Sequence, residues 1–253
     1  MIPLLGLSIT DLVWCGTVLF VASYIRGYSG FGFTAVLMSG LTISLPIIEI
    51  VPLSIALELA ASSGQARGIF SDIRWKQLSI LLTAGFVGTP IGVYLLGILP
   101  EDPLRISVLA FIFISSFYLI FSHKRLRTLP SLVHGLVGFA IGIANGATAL
   151  SGLVLALFFS LTDEKATRMR ATMIAYLFVA DVWAGGFLAT SGFYDGLTVH
   201  RILVSLPLLG LGVWLGSRQF ASTDPKTFRA VVLWLLLILS ATGLLFVTTA
   251  NFP

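Results

Sequence analysis

The sequence predicts an all-α polytopic membrane protein made of two inverted-topology repeats. Three observations carry that prediction: a composition too apolar for a soluble globule, a ladder of apolar runs separated by short charged loops, and a glycine-rich motif that occurs twice. Of the 253 residues, 57% are hydrophobic and only 10% are charged, whereas soluble domains carry roughly 25% charged residues. The mean hydropathy is +1.01. Nearly the whole chain is apolar segment, which leaves no room for a soluble catalytic domain. The net charge of +4 is small and its basic residues sit in short loops, a pattern of membrane topology rather than nucleic-acid binding.

The apolar runs fall at 9–26, 31–45, 48–66, 77–98, 104–122, 131–145, 147–161, 171–190, 201–217 and 230–249, about 8–10 hydrophobic segments. The first has no basic flank before Arg26 and reads as a retained helix, not a cleaved signal. A helix needs about 20 residues to cross a bilayer. The runs at 31–45, 131–145 and 147–161 are shorter than that, so they are half-helices, tilted spans or re-entrant hairpins. Cys15 is the sole cysteine, which excludes an internal disulfide. No metal cluster and no cofactor are expected.

The two halves, 1–127 and 128–253, correspond segment by segment within one membrane domain. The run Gly27-Tyr28-Ser29-Gly30-Phe31-Gly32-Phe33-Thr34-Ala35 is matched by Gly142-Ile143-Ala144-Asn145-Gly146-Ala147-Thr148-Ala149-Leu150-Ser151-Gly152. Asp72 matches Asp195, Gly88 and Gly92 match Gly212 and Gly216, and the stretch 99–105 matches 222–229. Small residues four apart recur in any helix bundle, but matches in the same order favour duplication.

Loop charge sets the orientation. Lys124, Arg125 and Arg127, then Lys165, Arg168 and Arg170, then Arg218, Lys226 and Arg229 are cytoplasmic candidates, as are Arg67, Arg74 and Lys76. The loops at 99–103 and 191–199 are acidic or poor in basic residues and belong outside. Equivalent loops thus fall on opposite sides. The halves are inverted, and both termini are expected outside.

Each doubled motif is a poor continuous helix, since Gly costs about 1 kcal/mol relative to Ala. A single glycine reads as a packing residue; the doubled motif reads as a helix break. A break exposes N–H groups at a new helix N-terminus, which favours an anion. Two inverted repeats aim two such ends at one point near the midplane. The substrate-binding candidates are Arg26, Ser29, Gly30, Gly32 and Thr34 from the first half, and Asn145, Gly146, Thr148, Ser151, Gly152 and Arg170 from the second. The first half brings charge and the second brings neutral donors, so an asymmetric site is expected. Arg26 and Arg170 also fit interface anchors, and Arg67 fits topology alone. Glu58 and Asp181 lie within apolar runs, where an ionised carboxylate costs at least a few kcal/mol unless paired or hydrated. Proton coupling and pairing with a buried arginine are both open to them. Glu49, His123, His134 and His200 lie at segment ends and read as interfacial.

The run Arg26-Gly27-Tyr28-Ser29-Gly30-Phe31-Gly32-Phe33 resembles the first signature of the TauE/SafE sulfite-exporter family. Asn145-Gly146-Ala147-Thr148-Ala149-Leu150-Ser151-Gly152, with Arg170-Ala171-Thr172, resembles the second, and the loop Asp72-Ile73-Arg74-Trp75 extends the likeness. The resemblance implies an inner-membrane (plasma-membrane) permease exporting sulfite, sulfonates or related organosulfur anions, with a small anion and the lipid bilayer as its partners. Relatives often carry Gly-Gly-Pro-Pro where this chain has Ser151-Gly152-Leu153-Val154, which predicts a softer second break. The leading expectation is therefore a transporter working by alternating access, not an enzyme. A channel or uniporter of other small anions is the alternative. An intramembrane hydrolase using Ser151 with His200 is a distant one. The oligomeric state is left open by the sequence.

Overall fold

The computed structural model describes residues 4–65, 70–121, 130–162, 164–220 and 225–250, side chains at 166, 220, 225–232 and 246–250 aside. The expectations for Arg67, His123, Lys124, Arg125 and Arg127, for the side chains of Lys226 and Arg229, and for the 127/128 boundary lie outside the described residues. Among the described residues every long element is α-helical: α1 (Ile9–Ser29), α2 (Phe33–Leu41), α3 (Ile47–Gln65), α4 (Trp75–Ile98), α5 (Glu101–Phe121), α6 (Ser131–Thr148), α7 (Ser151–Ser160), α8 (Ala166–Thr190), α9 (Gly196–Phe220) and α10 (Pro225–Ala250). Seven of them, α1, α3 to α6, α8 and α9, are long and apolar enough to cross a membrane. Large apolar side chains such as Val87, Tyr94, Ile114 and Leu203 face outward, as lipid-facing surfaces require. This is a multi-pass membrane protein.

The short helices fold back on their predecessors. The Trp14 indole N–H donates to the Gly40 carbonyl at 2.8 Å, which lays α2 along α1. His134 and Phe158 meet edge to face at 5.2 Å, which lays α7 along α6. The two pairs are helical hairpins around the doubled motif. The run at 131–145 is longer than its apolar stretch suggests: α6 continues for 18 residues to Thr148.

Helix packing exchanges neighbours between the halves. α4 packs on α6 and α1 packs on α9; α4 also touches α8 and α3 touches α9; α3 meets α8 and α5 meets α10. Swapping α1 with α6, α2 with α7, α3 with α8, α4 with α9 and α5 with α10 returns the same pairs. The glycines explain the closest two. A Cβ on Gly88 or Gly92 would stand 2.3 or 2.2 Å from the carbonyl oxygens of Phe139 or Ile143, and one on Gly216 would stand 2.0 Å from that of Tyr24. Backbone thus touches backbone, the close approach that small residues permit between membrane helices. Within each pair the helices run parallel: Gln77 lies by His134 near the starts of α4 and α6, and Gly92 lies by Ile143 farther along. Gly16 lies by Leu208 and Gly27 by Val213 in α1 and α9.

One end of the bundle gathers Asp11 with Ser44, the Ile47 N–H with Glu101, and Arg201 with Glu49 at 2.5 Å. The other end gathers Arg74 with Glu164 at 2.5 Å and Gln65 with Ser217. Asp195 caps α9 by accepting from the Thr198 N–H at 2.7 Å. The Thr198 hydroxyl, and then this N–H, hold its carboxyl below the ordinary carboxylate range.

Candidate functional site

The first helix break follows the first motif. α1 stops at Ser29, Gly30 takes a left-handed φ of 78° and Gly32 one of 86°, and α2 starts at Phe33. A side chain is strained in that region, and a Cβ on Gly30 would also come within 2.8 Å of the Arg170 Cγ. Arg26, in the last turn of α1, is fully buried. Its Nη1 donates to the Gly30 carbonyl and its Nη2 to Ser62 Oγ at 2.6 Å. Its Nε lies 3.5 Å from Glu58 Oε1. The other Glu58 oxygen accepts from Thr34 Oγ1 at 2.6 Å. Thr34 in α2 and Glu58 in α3 are therefore tied to Arg26 across the break. The Gly27 carbonyl, freed at the helix end, accepts from Arg170 Nη2 at 2.9 Å, Gln65 Nε2 at 3.1 Å and Ser217 Oγ at 3.1 Å. These donors come from α8, α3 and α9, so second-half side chains help close the end of α1.

The second break repeats the left-handed helix end in a shorter turn and with different chemistry. α6 stops at Thr148, and Ala149 takes a left-handed φ of 55° before α7 begins at Ser151. The turn thus falls on a non-glycine residue, whereas Gly142 and Gly146 stay helical and pack on α4. Asn145 is to Ala149 what Arg26 is to Gly30: its carbonyl accepts the capping N–H at 2.9 Å in both. The Asn145 side chain donates from Nδ2 to Asp181 Oδ1, 3.2 Å away on α8. Asn145, Asp181 and Ser151 are fully buried. Among the described residues, Asn145 Oδ1, Asp181 Oδ2 and Ser151 Oγ have no hydrogen-bond partner.

The two breaks meet against the middle of α8. Gly30 lies by Ile174, and Gly152 lies by Leu177 and by Phe31 of the first motif. Helix N-termini of α2 and α7 are therefore brought together, and the first N–H groups of each have no intrahelical carbonyl. Asp181 stands within the electrostatic reach of Glu58 and Arg26. Positive helix ends, a guanidinium and a carboxamide thus surround one buried region. Among the described residues no group of side chains could hold a metal ion.

Not every candidate points at this region. The Ser29 hydroxyl donates to backbone carbonyls of Ile25 and Phe31, and Thr148 donates to Ala144. Gly146 is a packing residue: its Cβ would stand 2.3 Å from the Thr89 carbonyl oxygen. His200 is exposed near the start of α9, away from buried Ser151, and no hydrogen bond joins them. Ser62, Gln65 and Ser217 escaped the sequence reading; their signal was a polar side chain near the end of an apolar run, too common to single out. Beside them lies a cavity of about 570 Å³ between α3, α8 and α9. Arg170, Gln65 and Ser217 are its polar lining, and Ala60, Leu209 and Trp214 are among its apolar walls.

A model of the family described as "Sulfite exporter TauE/SafE" matches residues 15–242. The chain is also similar to a protein of Comamonas testosteroni named "Probable inner membrane transporter protein TsaS", with 28% identity over 187 residues, 73% of this chain and 78% of that protein. No solved structure matches the chain.

Proposed function

The chain belongs to the sulfite exporter TauE/SafE family of membrane transporters, and from that premise we propose that it exports a small organosulfur oxyanion such as sulfite or a sulfonate. The solute binds where the two helix breaks meet, and the inverted repeats expose it by turns to either side. The observation that carries this reading is the convergence of α2 and α7 on the middle of α8, with Gly152 beside Phe31. Two helix N-termini at one buried point attract negative charge. Gly30, Gly32, Ser151 and Gly152 supply close backbone, Asn145 supplies a neutral donor, and Arg26 supplies charge, shared with Glu58, to which the Thr34 hydroxyl donates. Arg170 stands at the edge of the 570 Å³ cavity, which serves as the approach from the basic end. Its apolar walls suit the carbon body of a sulfonate. The neighbour exchange between halves and the parallel α1–α9 and α4–α6 pairs support inverted repeats. Loop charge supports both termini outside.

Energetics makes a coupling ion optional. With the interior negative, each 100 mV favours outward movement of a monovalent anion by about 2.3 kcal/mol, roughly 50-fold in concentration. The test is a thermal-shift screen of purified protein against sulfite, sulfonates, sulfate, thiosulfate and carboxylates, followed by flux in proteoliposomes. A bound ligand raises stability as RT ln(1 + [L]/Kd). Stabilisation by sulfite or sulfonates with saturable flux is the expected result. A melt that only cations or sugars shift would sink the anion site, and unitary currents would make it a channel.

A further inference from the structure

The two buried carboxylates differ in what surrounds them. Both Glu58 oxygens have partners: Arg26 faces one and Thr34 donates to the other. Asp181, fully buried in the middle of α8, accepts one hydrogen bond, from Asn145 Nδ2 to Oδ1. Its Oδ2 has no partner, and neither has the Oδ1 of the same Asn145. An ionised carboxylate offers only acceptors, so it cannot satisfy a carbonyl oxygen. A carboxylic acid can: a hydrogen on Oδ2 turns two acceptors into a donor and an acceptor. One proton placed between the two orphaned oxygens would satisfy both and close a two-bond acid–amide pair. Among the described residues no cation forms an ion pair with Asp181. The ionisable groups that reach Asp181 are Glu58 from α3 and Arg26 from α1, with Tyr176 on α8 and Tyr194 beyond its end. α6 presents Asn145 and has its histidine at its start, α7 has no ionisable residue, and α4 has Lys76 and Tyr94 near its ends. Arg26 is turned to Glu58, and Arg170 donates to the Gly27 carbonyl.

We propose that Asp181 is a proton-binding site: its Oδ2 carries a proton shared with Asn145 Oδ1, and this proton and the transported anion bind cooperatively. Glu58 is the ionised counterpart that neutralises Arg26. When the proton leaves for water, Asp181 becomes a carboxylate with Asn145 Nδ2 as its donor, and the region between the helix breaks gains one uncompensated negative charge. That charge repels an anion seated there. By linkage the anion holds the proton as strongly as the proton helps the anion. The cooperative step rests on the anion-site reading; the proton itself does not.

Two measurements on the full-length purified protein separate these claims. Infrared difference spectroscopy across a pH titration reads the proton directly. The expected result is the carbonyl stretch of a buried, protonated carboxyl at neutral pH, lost in Asp181→Asn and kept in Glu58→Gln. A band that survives Asp181→Asn, or no such band in the unaltered protein, overturns the site. Should Asp181→Asn fail to fold, Asn145→Leu decides: it removes the acceptor, so the band must move, and an unmoved band overturns the pairing. Binding of methanesulfonate, whose own charge does not titrate, reads the linkage. Affinity is expected to fall about tenfold, or about 1.4 kcal/mol, as pH rises through the loss of the band, and to become independent of pH in Asp181→Asn. Binding that ignores pH in the unaltered protein overturns the cooperativity. No binding at any pH refutes the anion reading instead, and leaves the band to judge the proton.

Discussion

The two helix breaks are one device built twice with different chemistry. In each, a helix ends in a left-handed residue, Gly30 or Ala149, and a side chain one turn earlier, Arg26 or Asn145, reaches the middle of the third helix of its half. The first pair is Arg26 with Glu58, charged and bonded further to Ser62, Thr34 and the Gly30 carbonyl. The second is Asn145 with Asp181, and it leaves an oxygen on each unpartnered. The two turns are alike in their left-handed residue and in the side chain one turn before it, and unlike in charge. Shape is held by helix packing that both halves share, whereas side-chain chemistry at the centre is free to specialise. One half supplies a neutralised charge pair, and the other supplies hydrogen-bonding capacity still open to a proton or a solute.

The packing beneath the breaks is where substitution should do most harm, and equally in both halves. Gly88→Val on α4 and Gly216→Val on α9 each drive a side chain into a facing carbonyl, 2.3 and 2.0 Å from the first added atom. Overpacking costs about 1–3 kcal/mol, occasionally more, and here the obstacle is backbone. Both variants should lose the monodisperse folded protein in detergent chromatography. Survival of one and not the other would break the equivalence of the α4–α6 and α1–α9 pairs.

The central pairs should separate the halves. Arg26→Leu leaves Glu58 buried without its cation, a change that costs about 3–5 kcal/mol. Asn145→Leu removes the amide partner of Asp181 and should cost about 1–3 kcal/mol. Denaturation in mixed micelles would measure both, and equal losses would show that Asp181 depends on its partner as Glu58 does. The double change Arg26→Leu with Glu58→Leu should recover much of the first loss, because no uncompensated charge then remains.

A smaller contrast lies in the turns. Gly30→Ala places a Cβ in the left-handed region at a cost of about 1–2 kcal/mol and presses on Arg170. Ala149→Gly relieves the same strain and should raise the melting temperature, by no more than about 1 kcal/mol of stability. A destabilised Ala149→Gly would mean that the alanine methyl contributes packing that outweighs its backbone strain.

The smallest effect is expected at the rim. The Asp195 carboxyl is held low by its hydrogen bond to Thr198. A depressed carboxyl contributes stability that is present above its unfolded value and is lost as pH falls through its folded value. Asp195→Ala should therefore melt slightly earlier at neutral pH, and the difference should vanish in acid. A difference that persists in acid would assign the effect to the lost side-chain contact rather than to charge.

The apolar runs and the neighbourhood of both interruptions were legible along the chain, because bilayer length and hydropathy act locally. Asp72 and Asp195, and the glycine pairs 88/92 and 212/216, recur in the same order along the chain. The second break was harder to locate. Gly146, a substrate-binding candidate within the motif, is held helical by the backbone of α4, and Ala149 takes the turn. Ser29 and Thr148 looked like solute donors, but their hydroxyls reach carbonyls of their own helix or turn, a contact that any serine or threonine in a membrane helix can make.

Hydropathy, glycine spacing and loop charge by themselves determined a multi-pass helical protein with a doubled break and polar groups inside its spans, since each of these follows from transfer into a bilayer one segment at a time. Only the tertiary structure decided that Arg26 faces Glu58 and Asn145 faces Asp181, partners 32 and 36 residues apart. It also decided that both breaks share the flank of α8. Those choices depend on how far two helix backbones approach, and steric contact between distant segments is a property of the folded bundle, not of any one span.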